Sequence, residues 1–240
     1  MGEVVRGRCR ATNLCAYCAR LAAVENAEVL ALDALAGSAP QLWAVLTTRS
    51  TDPDPARFYD SRRLVMRALR RRWPDAEYAS LVEFTTGYGP RSGGRRRPHW
   101  NLLLKGIPVD ALDRVADVVR SLWCAREDAR PEAQHVAAIT EAGGLMRYLA
   151  LHFQKESQRP PEGWSGQRFN VSRGYLAGPM AEARERARAA LRWKRELWRA
   201  LQEGHEGEAA EEVAQLATLD RAAVSWELVW LDVRQPVAVR

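Results

Sequence analysis

In the stretch from Arg95 to Gly106, three arginines lead into a segment that alternates once between polar and apolar residues and then becomes apolar, a pattern typical of a β-strand. Side chains two residues apart in a strand lie on the same face. His99 and Asn101 are therefore predicted to lie side by side above the sheet. Trp100, between them, is predicted to point into the core.

A second strand is predicted upstream, over residues 78–87, followed by a linker over residues 88–97 that is rich in glycine and arginine. Two strands joined in this way are expected to form a long hairpin, which would bring Glu83 alongside His99. Glu83, His99 and Asn101 would then offer a carboxylate, an imidazole and an amide oxygen on one face. Such a set is a candidate site for a hard divalent cation, although a histidine beside a proline at the start of a strand is also commonly structural.

Apolar periodicity, caps and turn residues predict the other elements of the first two thirds of the chain. They are a helix over 20–35, a strand over 41–48, a helix over 54–73, a helix over 108–123, a strand over 134–140 and a helix over 141–155. From Gln41 onward the order is β-α-β-β-α-β-α. This order predicts an α+β fold: a ferredoxin-like split βαβ antiparallel sheet with packed helices and one helix appended.

The last third of the chain is predicted to be a C-terminal helical extension. It contains a polar linker over 157–166, a compact basic turn over 167–175, a basic helix over 180–203, an acidic helix over 206–217 and a final strand over 224–233. We expect three segments: a Cys-rich segment and helix over 1–38, a core over 39–158, and the extension over 159–240.

Composition favours a partner that carries phosphate. The chain of 240 residues has a formal net charge of +6, with 36 basic residues that are mostly arginine and 30 acidic ones. Arginine binds phosphate with two parallel hydrogen bonds and stacks on bases. Nine tryptophans are also present, and some surface tryptophans stack on unpaired bases. The helix over 54–73 carries seven arginines, which fits either a solvated face or a grip on a nucleic-acid backbone.

No apolar run is long enough to cross a membrane, and the N-terminus lacks the apolar core of a signal peptide. We therefore expect a soluble, cytoplasmic protein with no membrane partner. No phosphate-binding loop of a helicase is present either, so DNA unwinding would need a partner such as a host helicase.

Three of the four cysteines, Cys9, Cys15 and Cys18, are close together near the N-terminus. In a cytosolic protein this spacing favours a structural Zn²⁺ site over disulfides. The signature is incomplete, and the fourth ligand is open between Cys124, His135, His205 and water. Three unconnected thiols near a terminus are the alternative interpretation.

Several motifs together resemble the HUH endonuclease superfamily, in particular the single-tyrosine rolling-circle replication initiators of phages and plasmids. The matching features are a first strand ending Val-Leu-Thr-Thr-Arg, the His99-Trp100-Asn101 strand with Glu83 upstream, and a helix with Tyr148 followed by Lys155. The Cys cluster and the basic turn are also similar to features of phage-type members. The resemblance spans residues 9–175.

The resemblance implies nicking and rejoining of single-stranded DNA, or of an origin hairpin, to start rolling-circle replication. Glu83, His99 and Asn101 would hold Mg²⁺ or Mn²⁺, and Tyr148 would form a 5′-phosphotyrosyl link. Lys155 lies two helical turns after Tyr148 and would neutralise the phosphate or lower the pKa of the tyrosine. Tyr148 also fits a core aromatic on an amphipathic helix.

Two departures from the family pattern concern the metal and the nucleophile. Asn101 replaces the second histidine of the metal-binding pair, which puts metal affinity and choice in doubt. His152 stands where some relatives carry a second tyrosine, so strand closure would need a 3′-hydroxyl, a second subunit or another nucleophile. His152 and His135 fit packing roles as well as chemical ones.

Arginines predicted to bind the DNA backbone are Arg95, Arg96, Arg97, Arg168 and Arg173. Trp164, Trp193 and Trp198 are predicted as surfaces for base stacking.

Two kinds of alternative function remain. A relaxase or single-strand transposase of the same superfamily would use the same chemistry. A non-catalytic nucleic-acid-binding protein with a zinc knuckle would instead use its sheet as a stacking platform, which requires Trp100 to point outward.

Overall fold

The structure, a computed structural model, describes residues 16–50, 54–86, 96–140, 160–161 and 163–202. The predicted helices over 141–155 and 206–217 and the predicted strand over 224–233 lie outside the described residues. Contacts divide the chain into two units. The sheet belongs to the first unit, and among the described residues the second unit comprises 24–39, 139–140 and 176–202.

The first unit is built on a five-stranded antiparallel sheet, so the protein has an α+β fold. The strands lie in the order β4-β1-β3-β2-β5, and each neighbouring pair is antiparallel. The first four strands, with one helix after β1 and one after β3, have the connectivity of a split βαβ arrangement. The elements are β1 (Leu42–Thr47), α2 (Pro55–Arg72), β2 (Glu77–Thr86), β3 (Arg96–Lys105), α3 (Leu112–Glu127), β4 (His135–Ala138) and β5 (Phe169–Val171).

Helix α2 begins where the sequence predicts. The Asp54 side chain accepts a hydrogen bond from the Ala56 amide at 2.9 Å, and Pro55 occupies the first turn. A carboxylate cap satisfies an amide that has no partner inside the helix, and proline lacks the amide that would be left over. The helix ends at Arg72, where the Trp73 amide donates to the carbonyl of Leu69.

The hydrophobic core lies between the sheet and helices α2 and α3. Trp100, Leu102 and Leu104 of β3 are buried there, alternating with residues that face the other side. The ring of Trp100 lies 5.6 Å from that of Trp123 on α3. The prediction that Trp100 points into the core is therefore confirmed, and the stacking-platform alternative loses the aromatic side chain that it requires.

The second unit pairs α1 (Ala16–Leu35), from Val24 onward, with α4 (Met180–Gln202). Val29 packs against Ala183 and Ala187, whose small side chains allow close approach. Lys194 donates to both carboxylate oxygens of Glu28 at 3.0 and 3.1 Å in a buried ion pair. A buried ion pair repays its desolvation cost only when its geometry is good, as it is here.

The structure corrects three predicted boundaries. Helix α1 begins at Ala16 and not at the predicted residue 20, so Cys18 lies in a helix. Strand β3 begins at Arg96, so Arg96 and Arg97 belong to the sheet and not to the hairpin loop. The predicted basic turn contains β5, because its Phe-Asn-Val segment pairs with the free edge of β2, a pairing that local sequence does not reveal.

Within the described part of the chain, no helix has the length and apolar character needed to cross a membrane.

Candidate functional site

The side of the sheet opposite helices α2 and α3 carries the predicted metal ligands. We call this side the Glu83 face and define it by the residues that it presents near the start of β3: Glu83, Thr85, Arg97, His99 and Asn101. Odd-numbered residues of β3 point to this face because even-numbered ones form the core. A single strand thus supplies both core residues and candidate site residues.

Strand register brings the predicted residues together. Glu83 on β2 lies directly opposite His99 on β3, and Asn101 follows His99 by two residues. Directly opposite residues of an antiparallel pair have Cβ atoms about 5 Å apart. The predicted arrangement of Glu83 beside His99, with Asn101 on the same face, is confirmed. Metal binding by these residues stays a prediction.

Burial differs among the three side chains. Glu83 is 4% exposed and Asn101 is 2% exposed, whereas His99 is half-buried. The deeper end of the triplet is therefore shielded from water, and the imidazole lies at its outer edge. Electrostatic interactions are stronger in such a shielded position than at the surface.

Thr85 is a neighbour of His99 that the sequence analysis missed. Its hydroxyl forms a short hydrogen bond with Nε2 of His99. Thr85 follows Glu83 by two residues, so the same strand alternation that placed Glu83 also places Thr85 on this face. The hydroxyl orients the imidazole ring, and a hydrogen bond to one ring nitrogen fixes which nitrogen remains available to a ligand.

On the other side of β3, Thr47 of β1 lies opposite His99. Its amide donates to the Gln134 side-chain oxygen at 2.8 Å, and its carbonyl accepts from the Trp123 indole at 2.8 Å. The end of the first-strand motif is thus tied to α3 and to the start of β4. These bonds hold the backbone beside His99 in place.

Arg97 adds a positive charge to the Glu83 face. It lies two residues before His99 and opposite Thr85 in the strand register. Its Nε is buried and makes no hydrogen bond within the described part of the chain. A guanidinium donor in this position is suited to an oxyanion such as a phosphate.

The far end of the same face is structural. Lys105, the last residue of β3, donates from Nζ to the carbonyl of Tyr175 at 2.8 Å and lies 4.1 Å from the centre of the Tyr175 ring. Gly106 then turns the chain with a φ of 70°, against the carbonyl of Asp75, where a Cβ would overlap that oxygen. The candidate chemistry is therefore confined to the Arg97 end of β3.

The donor set of the triplet fits a divalent cation. A carboxylate, an imidazole and an amide oxygen are ligands of Mn²⁺, and the oxygen ligands also suit Mg²⁺. No group of three or more His, Cys, Asp or Glu side chains is placed to hold a metal within the described ranges. The triplet contains two residues of those types, and its third ligand is an amide.

Other predicted DNA-binding residues lie elsewhere. Arg168 comes just before β5, and its carbonyl accepts from the Val82 amide at 2.9 Å. Its guanidinium lies close enough to Tyr59 of α2 for the two to interact electrostatically, and burial lowers the pKa of Arg168. Arg173 is exposed in the turn after β5. The structure thus does not bring Arg168 to the Glu83 face.

Trp164 is not a base-stacking surface. It is 8% exposed and packs against Phe58, Tyr59 and Phe84, with its ring 4.8 Å from that of Phe84. The prediction for Trp164 is therefore wrong, because the segment before β5 folds back onto the core. Trp193 is half-buried on α4.

Candidate zinc ligands are separated between elements. Cys18 is buried in α1 and Cys124 is half-buried in α3, where burial raises the pKa of its thiol. His135 is exposed, and its ring lies 4.4 Å from that of Trp43. His135 therefore packs against Trp43.

The remaining predicted residues lie outside the described residues. They are Cys9, Cys15, Arg95, Tyr148, His152, Lys155 and His205. The nucleophile and the zinc cluster therefore remain predictions from the sequence.

No family model, no curated protein and no solved structure matches this chain. The resemblance to HUH endonucleases thus depends on the motifs quoted above.

Proposed function

We propose that the protein is a metal-dependent endonuclease that nicks and rejoins single-stranded DNA, as the rolling-circle initiators of the HUH superfamily do. The observation that supports this proposal best is the strand register that sets Glu83 opposite His99, with Asn101 and Arg97 on the same face. Two paired strands that served packing alone would not need a carboxylate on one and an imidazole, an amide and a guanidinium on the other, together on one face.

Tyr148 is the nucleophile in this proposal. Its phenolic oxygen attacks the scissile phosphorus, the bond from phosphorus to the 3′-oxygen breaks, and the upstream strand leaves as a 3′-hydroxyl after taking up a proton. The downstream strand stays attached through a 5′-phosphotyrosyl link. Because the phosphodiester is exchanged and not hydrolysed, the reverse attack by a 3′-hydroxyl rejoins DNA without another energy source.

Glu83, His99 and Asn101 would hold a divalent cation, which supplies positive charge for the phosphate. Arg97 contributes a second positive charge, from the protein itself, to a non-bridging phosphate oxygen. Thr85 keeps the His99 ring in one orientation. Lys155 would lower the pKa of Tyr148 by favouring the phenolate, since a nearby positive charge stabilises a negative one.

The test is formation of a covalent adduct that survives denaturation. A single-stranded DNA library of random sequence, labelled at either the 5′ or the 3′ end, is incubated with protein and Mn²⁺ and separated on a denaturing gel. We expect an adduct that carries the 3′ label, because the downstream strand is the one retained. The adduct should disappear with EDTA and in Tyr148→Phe.

Matched variants separate chemistry from folding. Glu83→Gln should abolish the adduct, whereas Glu77→Gln, which removes a carboxylate from the other end of the same strand, should leave it unchanged. An adduct that persists in Tyr148→Phe would move the attack to another residue. An adduct that carries the 5′ label would contradict the proposed polarity. If the DNA bound to the protein but formed no adduct, the proposal would be overturned.

A further inference from the structure

A groove of 1040 Å³ lies on the opposite side of the sheet from the Glu83 face, between α2 and the edge formed by β2 and β5. We call it the α2 groove. It is lined along α2 by Arg62, Arg63, Arg67 and Arg70, with Tyr78 and Asn170 opposite. Arg126 also lines the groove, and Asp60 is the one acidic residue among the residues that line it. Five arginines against one aspartate make this groove strongly positive.

We propose that the α2 groove binds single-stranded nucleic acid, with the α2 arginines on the phosphates and the tyrosines beside the bases. This inference does not depend on the nicking activity, because the groove and the Glu83 face lie on opposite sides of the sheet. It gives the arginine-rich α2 a role beyond a solvated helix face.

The arginines form a row along the helix. Arg63, Arg67 and Arg70 follow one another at intervals of four and three residues, so they share one face of α2 and lie about 6 Å and about 4.5 Å apart along its axis. Arg63 is 73% exposed and pairs with Asp60 at 2.9 Å, and Arg70 pairs with Glu77 at 3.0 Å. Arg67 is exposed and makes no ion pair within the described residues. A surface row of this kind is suited to successive phosphates.

Arg62 is a buried charge in the groove wall. It is 5% exposed, and its Nη2 donates to the Ser80 hydroxyl at 2.7 Å. Its Nη1 is buried and makes no hydrogen bond within the described part of the chain. Burial of this cation lowers its pKa, and no carboxylate among the described residues offsets that effect. A buried cation without an opposite charge is costly, and a phosphate in the groove would supply that charge.

Aromatic rings lie beside these charges. The Arg62 guanidinium is 5.0 Å from the centre of the Tyr59 ring and 5.1 Å from that of Trp100, and Arg70 is 5.7 Å from that of Tyr78. Tyr59 and Tyr78 both line the groove. Stacking of bases on aromatic side chains and backbone contacts with basic ones together characterise single-strand binding.

The dimensions favour a polymer over a small nucleotide. The lining residues run along α2 from Pro55 to Arg70, a length of about 22 Å at the helical rise. The far wall includes Gly166, where a Cβ would overlap the Tyr59 ring, and Gln167, whose carbonyl accepts from the Tyr59 hydroxyl at 3.0 Å. The length of the groove therefore suits an extended single strand.

The test is fluorescence anisotropy with a labelled oligothymidylate of about 12 nucleotides, within the site sizes of single-strand-binding folds. The titration is made in EDTA, so that no metal-dependent cleavage contributes. We expect Arg67→Glu to weaken binding about tenfold at moderate salt and to reduce the salt dependence by about one ion contact. Glu83→Gln should leave this binding unchanged, which separates the groove from the nicking site.

Arg72→Glu is the matched control. Arg72 is exposed at the end of the same helix and does not line the groove, and its reversal changes the net charge by the same amount. Arg72 follows Arg67 by five residues and therefore lies on a different face of α2. We expect less than about a twofold effect, since salt screens a charge that does not contact the ligand. Equal losses in Arg67→Glu and Arg72→Glu would overturn the proposal, because they would show an effect of net charge alone.

Two further experiments, photocrosslinking and competition, identify the ligand. Replacement of thymine by photoreactive bromouracil should yield, after irradiation, a crosslinked peptide that contains Tyr59 or Tyr78. Equal competition by polyglutamate or by a blunt duplex would overturn the assignment to a single strand. Oligouridylate that binds as well as oligothymidylate would support it, because the chemistry is shared. Both variants should match the wild type in circular dichroism.

Discussion

The two faces of strand β3, which has ten residues, have different roles: one belongs to the core and the other to the candidate site. Trp100, Leu102 and Leu104 are buried against α2 and α3, whereas Arg97 and His99 on the other face are only half-buried. Because successive side chains point in opposite directions, core and candidate site are interleaved in the sequence. The strand is thus held rigidly on one side while it presents functional groups on the other.

This difference between the two faces explains how the candidate site is positioned. A rigid β-strand fixes side chains more accurately than a loop, and the packing of Trp100 fixes the backbone from which His99 and Asn101 project. The four measurements below test this division of tasks, from the largest expected effect to the smallest.

Trp100→Ala should unfold or strongly destabilise the protein. The side chain is fully buried against Trp123, and such a truncation costs about 3–5 kcal/mol of the free energy of unfolding. Trp43→Ala, a half-buried residue on the opposite side of the sheet, should cost about 1–2 kcal/mol. Urea unfolding followed by circular dichroism compares the two. Equal losses would show that both sides of the sheet contribute equally to the core.

Mn²⁺ should stabilise the folded protein through the Glu83 face. A metal that binds only the folded state at 100 times its Kd adds about 2.7 kcal/mol. At about 2–4 °C per kcal/mol for a chain of this size, the Tm should rise by about 5–10 °C. The shift, measured by thermal unfolding, should vanish in Glu83→Gln and with EDTA.

Glu77→Gln is the control for this shift and should retain it. If the wild type showed no response to Mn²⁺ or Mg²⁺, or if Glu83→Gln responded fully, the metal site would lie elsewhere.

Ser80→Ala should destabilise the helix side of the sheet by about 1–3 kcal/mol. The Ser80 hydroxyl accepts from the buried Arg62, and its loss leaves a buried charged donor without that partner. Ser121→Ala, on an exposed position of α3, should change stability by less than about 0.5 kcal/mol. Denaturant unfolding measures both. A loss for Ser80→Ala no larger than that for Ser121→Ala would mean that the Arg62 contact carries little stability.

The smallest expected effect is a loss of folding stability at alkaline pH that depends on Tyr59. Burial raises the pKa of Tyr59 above its ordinary value of 10.0, and the nearby Arg62 partly opposes this shift. The folded state then holds the proton more tightly than the unfolded state, so stability is complete below pH 10.0 and falls as pH rises through the folded pKa. The wild type should lose more stability than Tyr59→Phe between about pH 9 and about pH 11. Identical pH profiles would contradict the direction of the shift.

Local sequence patterns predicted much of the first unit. The Asp54 cap and Pro55 marked the start of α2, and apolar periodicity indicated the strand over 41–48 that the structure shows as β1. Strand alternation was enough to set His99 and Asn101 on one face. These features depend on near neighbours in the chain, which is why the sequence displays them.

Contacts between distant residues could not be predicted in the same way. Strand β5 has three residues and forms because β2 offers unpaired backbone groups 90 positions earlier in the chain. Trp164 was assigned to the surface because nothing near it in the sequence signals the rings of Phe58 and Phe84. Thr85 was added to the candidate site, and Arg97, a predicted DNA-binding residue, was placed on the Glu83 face, only once the register of β2 and β3 was known.

The sequence by itself determined the α+β class, the order of the core strands and helices, and the face on which His99 and Asn101 project, because periodicity and capping are local properties. Only the tertiary structure decided that Thr85 bonds to His99, that Arg168 lies beside Tyr59, and that the arginines of α2 border a groove. Strand register and the packing of a helix on a sheet minimise the free energy of the whole chain, and no single segment encodes them.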